Sequence, residues 1–288
     1  MQSVIEMRDV SKRYGDFALE SLNLSIAPGT ITGLVGANGA GKSTTIKLLL
    51  NLIRRDAGDI RILGMDAVAD ETAIKQQVGV VFDEPCFHEI LSAQQIGRYM
   101  RHVYPTWDDG AYTRYLKQFA LPDTKPVKEF SRGMKMKLSI AAALCHHPKL
   151  LILDEPTSGL DPLVRDEILD LFLDFLQDET HSILLSSHIT SDLDKIADTI
   201  ALIDHGRLLF HEEKDVLREK YVLVKGGLDQ LEQLDPRLLI GVHKHRFGFE
   251  ALCRSEQLPR DAGLVAERPT IEEIMLFFTR RSKEEESV

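Results

Sequence analysis

With 288 residues, 43% of them apolar, and a formal net charge of −10, the chain has enough core-forming material for one large domain or two smaller ones. The acidic balance argues against non-specific binding to nucleic acid, which needs clustered lysine and arginine, so no nucleic-acid partner is expected, although a local basic patch is compatible with it. No apolar run approaches the ~18 residues of a membrane span, no secretory signal opens the chain, and the three cysteines are widely spaced without a CxxC pair, which points to a reducing cytoplasmic compartment and no structural zinc.

Val4 to Val10 reads as the first strand and Ile31 to Val35 as the next. The latter leads straight into GANGAGKST at residues 36–44, with a helix predicted over Ser43 to Asn51. Gly36 through Ser43 satisfies GxxxxGK[ST] in the strand-then-helix setting of a phosphate-binding loop. Gly36, Gly39 and Gly41 let backbone amides converge on phosphate oxygens, and the helix N-terminus adds a favourable dipole. Lys42 then faces the β and γ phosphates of ATP and Ser43 offers a hydroxyl to Mg²⁺, with Asn38, Ala40 and Thr44 completing the ATP-binding set.

Further strands are predicted at Ile60 to Leu63 and Val78 to Phe82. Between Glu84 and Pro148 the strand signal disappears and helical segments take over, at Ala93 to Val103, Asp109 to Phe119 and Arg132 to His146, broken by the prolines of YPTW and LPDTKP. The strand Leu150 to Leu153 ends in Asp154 and Glu155. Ligands sit at the carboxyl edges of parallel strands, so Asp154 is expected to hold Mg²⁺ and Glu155 to polarise the attacking water. Strands at Ser182 to Ser186 and Ile200 to Ile203 complete an α/β core with a largely parallel sheet, of the P-loop NTPase type.

After about Tyr221 the pattern changes to YVLVK, a helical DQLEQL, LLIGVHK, HRFGFEAL and LVAE, then PTIEEIMLFFTRR, an amphipathic helix whose Thr270 precedes Glu272 and Glu273 in capping order. The expected organisation is a core domain over 1–220 with a helical subdomain at about 84–148, a small α+β accessory domain over 221–288, and a solvated tail, SKEEESV.

FSRGM at 130–134, LLILDEPTSGLDP at 150–162 and SSH at 186–188 follow the phosphate loop in order, and the whole resembles the nucleotide-binding subunit of an ABC transporter over about residues 3 to 215. The resemblance implies that Tyr14, in SKRYG, stacks on adenine. It implies that the signature residues Ser131, Arg132 and Gly133 act on ATP held by a second subunit, that Asp161 lies in the loop linking two sites, and that His188 bonds the γ-phosphate and the attacking water. His146 and His147 match nothing in the pattern and read as helix-end residues. The implied protein is an ATPase using ATP and Mg²⁺, a homodimer or heterodimer with another ATPase subunit. It would sit peripherally on the cytoplasmic face of the membrane, bound to a separate permease subunit. PTIEEIMLFFT resembles the tail of exporter subunits, which favours export. The alternative is a soluble ABC-type ATPase acting on nucleic acid or ribosomes. Two departures stand out: Arg132 replaces the first glycine of the usual signature and Met134 its glutamine, while Asp83, in VFDEP, stands where a glutamine is usual and is a further candidate for the metal.

Overall fold

The computed structural model describes residues 3–84, 86–257 and 263–286. In chain order, β1 (Ile5–Tyr14) and β2 (Phe17–Ile26) form a hairpin, β3 (Ile31–Val35) feeds α1 (Lys42–Leu49), β4 (Ala57–Ile62) and β5 (Met65–Asp66) follow, and α2 (Glu71–Lys75) precedes β6 (Val78–Val81). Three helices, α3 (Ala93–Val103), α4 (Asp109–Gln118) and α5 (Arg132–Leu144), separate β6 from β7 (Leu150–Asp154). Then come α6 (Pro162–Phe175), β8 (Ser182–Ser187), α7 (Thr190–Ile196), β9 (Thr199–Asp204), β10 (Arg207–Glu213) and α8 (Lys214–Lys220). The remainder is β11 (Tyr221–Gly226), α9 (Leu228–Leu231), β12 (Leu239–His245), β13 (Gly248–Arg254), β14 (Val265–Glu267) and α10 (Ile271–Glu286).

The central sheet runs β10-β9-β3-β8-β7-β6, parallel from β9 to β6, with β10 antiparallel at one edge. The inner parallel strands are buried on both faces, so they read as near-continuous apolar runs, such as LLIL in β7 and ILL in β8, and do not alternate. Leu151, Leu153, Ile183 and Leu185 point into one core cluster, and Leu150, Ile152 and Leu184 into another. The first cluster extends through α3, α4 and α5, with Tyr112, Met136 and Ile140 buried in it; the second lies under the antiparallel sheet β2-β1-β4-β5.

Strand β2 lies outside the sequence-based expectation, and bulges account for that. Val10 pairs with Leu22 and Lys12 with Leu19, so β2 carries an extra residue, and Ser21 in that bulge has φ 44. The bulge spaces Leu19 and Leu22 three apart, which imitates a helical period.

The C-terminal sheet, β12-β13-β11-β14, divides its apolar residues between two places. Val224, Phe249, Ala251 and Cys253 form a small cluster of their own, whereas Leu223, Ile240 and Leu252 join Ile271, Ile274 and Phe277 of α10 in the main core cluster. The expected cap of α10 is present, with Thr270 Oγ1 accepting from Glu273 N (3.2 Å) and Glu273 Oε2 accepting from Thr270 N (2.7 Å). The helix continues to Glu286, so most of the stretch read as a solvated tail is helical, and its last two residues, 287 and 288, lie outside the described residues. No helix among the described residues is long and apolar enough to cross a membrane.

His146, at the end of α5, is 1% exposed and stacks on Tyr104 with ring centroids 4.0 Å apart. Burial pushes its pKa down to about 4 from an ordinary 6.5. The unfolded chain therefore binds a proton that the folded chain refuses. His146 leaves stability intact above pH 6.5 and lowers it as pH falls toward 4, by about 1.4 kcal/mol per unit. A His146→Phe variant, which keeps a ring against Tyr104, should lose about 2 kcal/mol less than the parent between about pH 7 and about pH 5 in denaturant unfolding. Equal slopes for the two proteins would assign the acid sensitivity to other groups.

Candidate active site

Parallel register brings the site together. Val35 lies beside Ser187, and Asp154 beside Ser186, so β3, β7 and β8 end level with one another at their carboxyl edge. From β3 the chain enters the loop 36–41. Gly36 packs so closely that a Cβ there would meet the Ile203 carbonyl oxygen at 2.2 Å. The loop is also held from behind: Gly206 in the β9–β10 turn donates its amide to the Ala40 carbonyl at 2.9 Å. A Cβ on Gly206 would lie 1.8 Å from the Ala18 carbonyl oxygen, so only glycine admits this approach.

Helix α1 opens after Gly41, which has φ 120 and offers no side-chain cap. Its first amides and the positive end of its dipole are thus available to an anion. They adjoin a cavity of about 650 Å³ lined on this side by Asn38, Gly39, Gly41, Lys42, Ser43 and Thr44.

The same cavity is lined by Asp154, Glu155, Ser158 and His188, and by Asp83 and Phe17. Asp154 is 6% exposed, and Ser186 Oγ donates to its Oδ1 at 2.6 Å. Glu155 has φ 51, a strained position for a non-glycine residue. Its amide donates to the Ser186 carbonyl at 3.1 Å, which fixes the bend that turns its side chain toward the phosphate loop. Lys42 is buried; its Nζ donates to the Gly36 carbonyl at 2.8 Å and lies 3.4 Å from Glu155 Oε1. The other Glu155 oxygen lies 2.6 Å from His188 Nδ1 and accepts from the His188 amide at 3.2 Å. A carboxylate can only accept, so Nδ1 is the ring nitrogen that donates to Glu155.

The oxygen donors suit a hard divalent cation. Ser43, Asp154 and Asp83 line the same cavity, and among the described residues no cluster of His, Cys, Asp and Glu suffices to hold a metal unaided. Magnesium fits such a partial set, since it draws remaining ligands from water and substrate phosphate.

Most of the sequence-derived candidates converge here, and some do not. Gly36 and Ala40 support the loop from behind the cavity wall. Tyr14 ends β1 at 45% exposure with the Lys12 ammonium 5.2 Å from its ring centre, and the aromatic that lines the cavity is Phe17. Ser131 caps α5, its Oγ accepting from Met134 N at 3.2 Å, and neither it nor Gly133 lines the cavity. Asp161 caps α6 through Val164 N at 3.1 Å. Asp83 and Arg132, the two departures, meet each other at 2.5 Å. Sequence reading missed Phe17, Ser158 and Ser186. Phe17 and Ser186 lie beside recognised motifs, as the aromatic following YGD and the first serine of SSH, but neither shows its role from its neighbours alone.

A family model described as ABC transporter matches residues 19–158. The chain is 33% identical to daunorubicin resistance ATP-binding protein DrrA3 of Streptomyces coeruleorubidus, over 98% of each protein. It is 35% identical to bacitracin transport ATP-binding protein BcrA of Bacillus licheniformis, over 76% of this chain and 73% of that one. Among solved structures, an ATP-binding subunit of an ABC transporter superposes with a TM-score of 0.69 at 29% identity, covering 75% of this chain and 92% of the other. A dimeric ATP-binding cassette bound to ADP and Pi shares the fold, with a TM-score of 0.65 at 21% identity over 73% of this chain and 98% of that one. A nucleotide cavity built on three level strand ends, in a chain matched from end to end by an ATP-binding relative, has one reading: the chain belongs to the ABC transporter family, as an ATP-binding protein that hydrolyses ATP.

Proposed function

We propose that this protein powers export through a separate membrane permease subunit, working as a pair of ATPase chains that sandwich two Mg-ATP head-to-tail. The observation that carries the reading is the division of labour within one chain. The phosphate loop, Asp154, Glu155 and His188 share a cavity, while Ser131 and Gly133, at the start of α5 where Ser131 is the N-cap, stand outside it. They are free to complete the site of a facing chain. Relatives named for daunorubicin resistance, bacitracin transport and lantibiotic transport support export as the direction. The permease would hold the protein at the cytoplasmic face of the membrane. We read 1–220 as the ATPase domain and 221–288 as an accessory domain joined to it through α10.

In this reading ATP enters with its phosphates against the amides of α1, and Lys42 exchanges its contact with Glu155 for the phosphate charge. Ser43 and Asp154, with Asp83 near them, would hold Mg²⁺, which neutralises phosphate charge when bound. Glu155, freed from Lys42 and oriented by His188, accepts the proton of the attacking water. Tyr14 or Phe17 flanks the base, and Asp161 lies where the two sites meet.

Glu155→Gln keeps the shape and removes the base, so hydrolysis should fall at least about a hundredfold while ATP binding persists and the ATP-bound pair accumulates in gel filtration. Near-normal turnover would move the base to another residue.

A mixed pair of Lys42→Ala and Ser131→Arg chains tests the shared site. If each ATP lies between Lys42 of one chain and Ser131 of the other, the pair contains one doubly damaged and one intact site. Purified mixed pairs should then hydrolyse ATP faster than either pure mutant. Activity no higher than the parents, together with failure of ATP-dependent crosslinking between cysteines placed near Ser131 and Gly39, would count against it.

Expressed with a permease encoded beside it, the protein should sediment with membranes, and expressed alone it should not. Stimulation of its ATPase by DNA or ribosomes, without permease association, would overturn the transport reading.

A further inference from the structure

Asp83 and Arg132 come from different parts of the chain, and their meeting gives each a use. Asp83 follows β6 and lines the nucleotide cavity; Arg132 is the first residue of α5. Arg132 Nη2 lies 2.5 Å from Asp83 Oδ1, and both side chains are about half exposed, at 50% and 46%. The guanidinium also rests on Gly159, between the cavity residue Ser158 and the α6 cap Asp161. A Cβ there would lie 3.0 Å from Arg132 Nη1, and Gly159 has φ 67, so glycine leaves the room that the guanidinium occupies. One side chain thus joins the cavity edge, the start of α5 and the loop after β7.

We propose that Asp83 is a stand-in for phosphate: in the empty protein it holds Arg132 and latches the start of α5 to the cavity edge, and ATP bound by a facing chain takes the guanidinium away. The proposal rests on the two-chain site described above and adds to it a residue-specific control. A half-exposed ion pair is weak enough to be exchanged. A triphosphate offers several charges and the paired oxygens that a guanidinium fork matches, where Asp83 offers a single carboxylate. Arg132 is thereby a positioning residue in the free chain and a phosphate contact in the pair. At rest it also neutralises Asp83, which otherwise adds a third carboxylate to a cavity that already holds Asp154 and Glu155.

The test uses the full chain with Glu155→Gln as the reference, so that pairing is read without turnover. ATP-dependent pairing is measured by light scattering for Asp83→Asn, Arg132→Gln and the double variant, with Lys135→Gln as control. Lys135 bonds Glu89 at 2.9 Å from the same helix, away from the cavity. Asp83→Asn releases Arg132 and should lower the dissociation constant of the pair by about two- to twentyfold, since two latches open per pair. Arg132→Gln should raise it, the double variant should match Arg132→Gln, and the control should match the reference. In the nucleotide-free chain, hydrogen exchange of amides 133–136 should speed up in Asp83→Asn and Arg132→Gln alike. A gain from Asp83→Asn that persists in the absence of Arg132 means that Asp83 acts directly on its own nucleotide, and it overturns the latch. Unchanged exchange in the free chain also overturns it. Absence of any ATP-dependent pair in the reference, with exchange altered as expected, sinks the two-chain reading and leaves the resting ion pair standing.

Discussion

The buried ammonium of Lys42 constrains the rest of the site. At 6% exposure it must be compensated within the protein, chiefly by the Gly36 carbonyl at 2.8 Å and Glu155 Oε1 at 3.4 Å, with the Ala37 carbonyl also at 3.4 Å. The carbonyl can reach it because the loop folds back on itself, which requires Gly36 pressed against the Ile203 carbonyl and the β9–β10 turn behind Ala40. The carboxylate can reach it because β7 ends level with β3 and Glu155 adopts a positive φ. Neither support is specific for nucleotide. Together they keep a cation ready beside the helix N-terminus, so that the seat of the phosphates is charged before they arrive.

How far the sequence displayed this depends on whether the determining contact was local. The loop 36–44 could be read without any structure, since a glycine-rich turn between a strand and a helix carries its own signal. Asp154 and Glu155 could be placed at a strand end from the apolar run before them. Ser186 could not be assigned from its neighbours, because its partner Asp154 is 32 residues away and the bond exists only through the parallel register of β7 and β8. Phe17 was hidden for a related reason. The strand it opens is bulged, and the bulge at Ser21 disguised the period that would have marked β2. A change of pattern at Tyr221, where β11 begins, was legible in the sequence. That Leu223, Leu252 and Ile274 would pack into the main core was not, since one apolar strand residue looks like another until its face is known.

This shared core bears on the segment that follows His188. Helix α7 begins at Thr190, just after His188, and its Leu193 and Ile196 lie in the same cluster as Ile271 and Ile274 of α10. Thr190 also donates to Glu272 at 3.2 Å. The segment that carries His188 is therefore backed by the C-terminal helix, and a shift of one is felt by the other, because close-packed interiors transmit displacement.

The acids of the cavity complete the logic of the site in the absence of nucleotide. Asp154 accepts from Ser186, Glu155 faces Lys42 and His188, and Asp83 faces Arg132. Every carboxylate lining the cavity thus has a donor, and each donor comes from a different element: β8, α1 with the turn after β8, and α5. In the proposed two-chain site, Mg-ATP in this cavity would draw Lys42 from Glu155 and offer a cation to the carboxylates, while ATP held by a facing chain would draw Arg132 from Asp83. Exchanges that replace several intramolecular pairs in this way would tie the states of both cavities to separate elements of the fold. Coupling of this kind needs no single strong bond, only partners that cannot serve two sites at the same time.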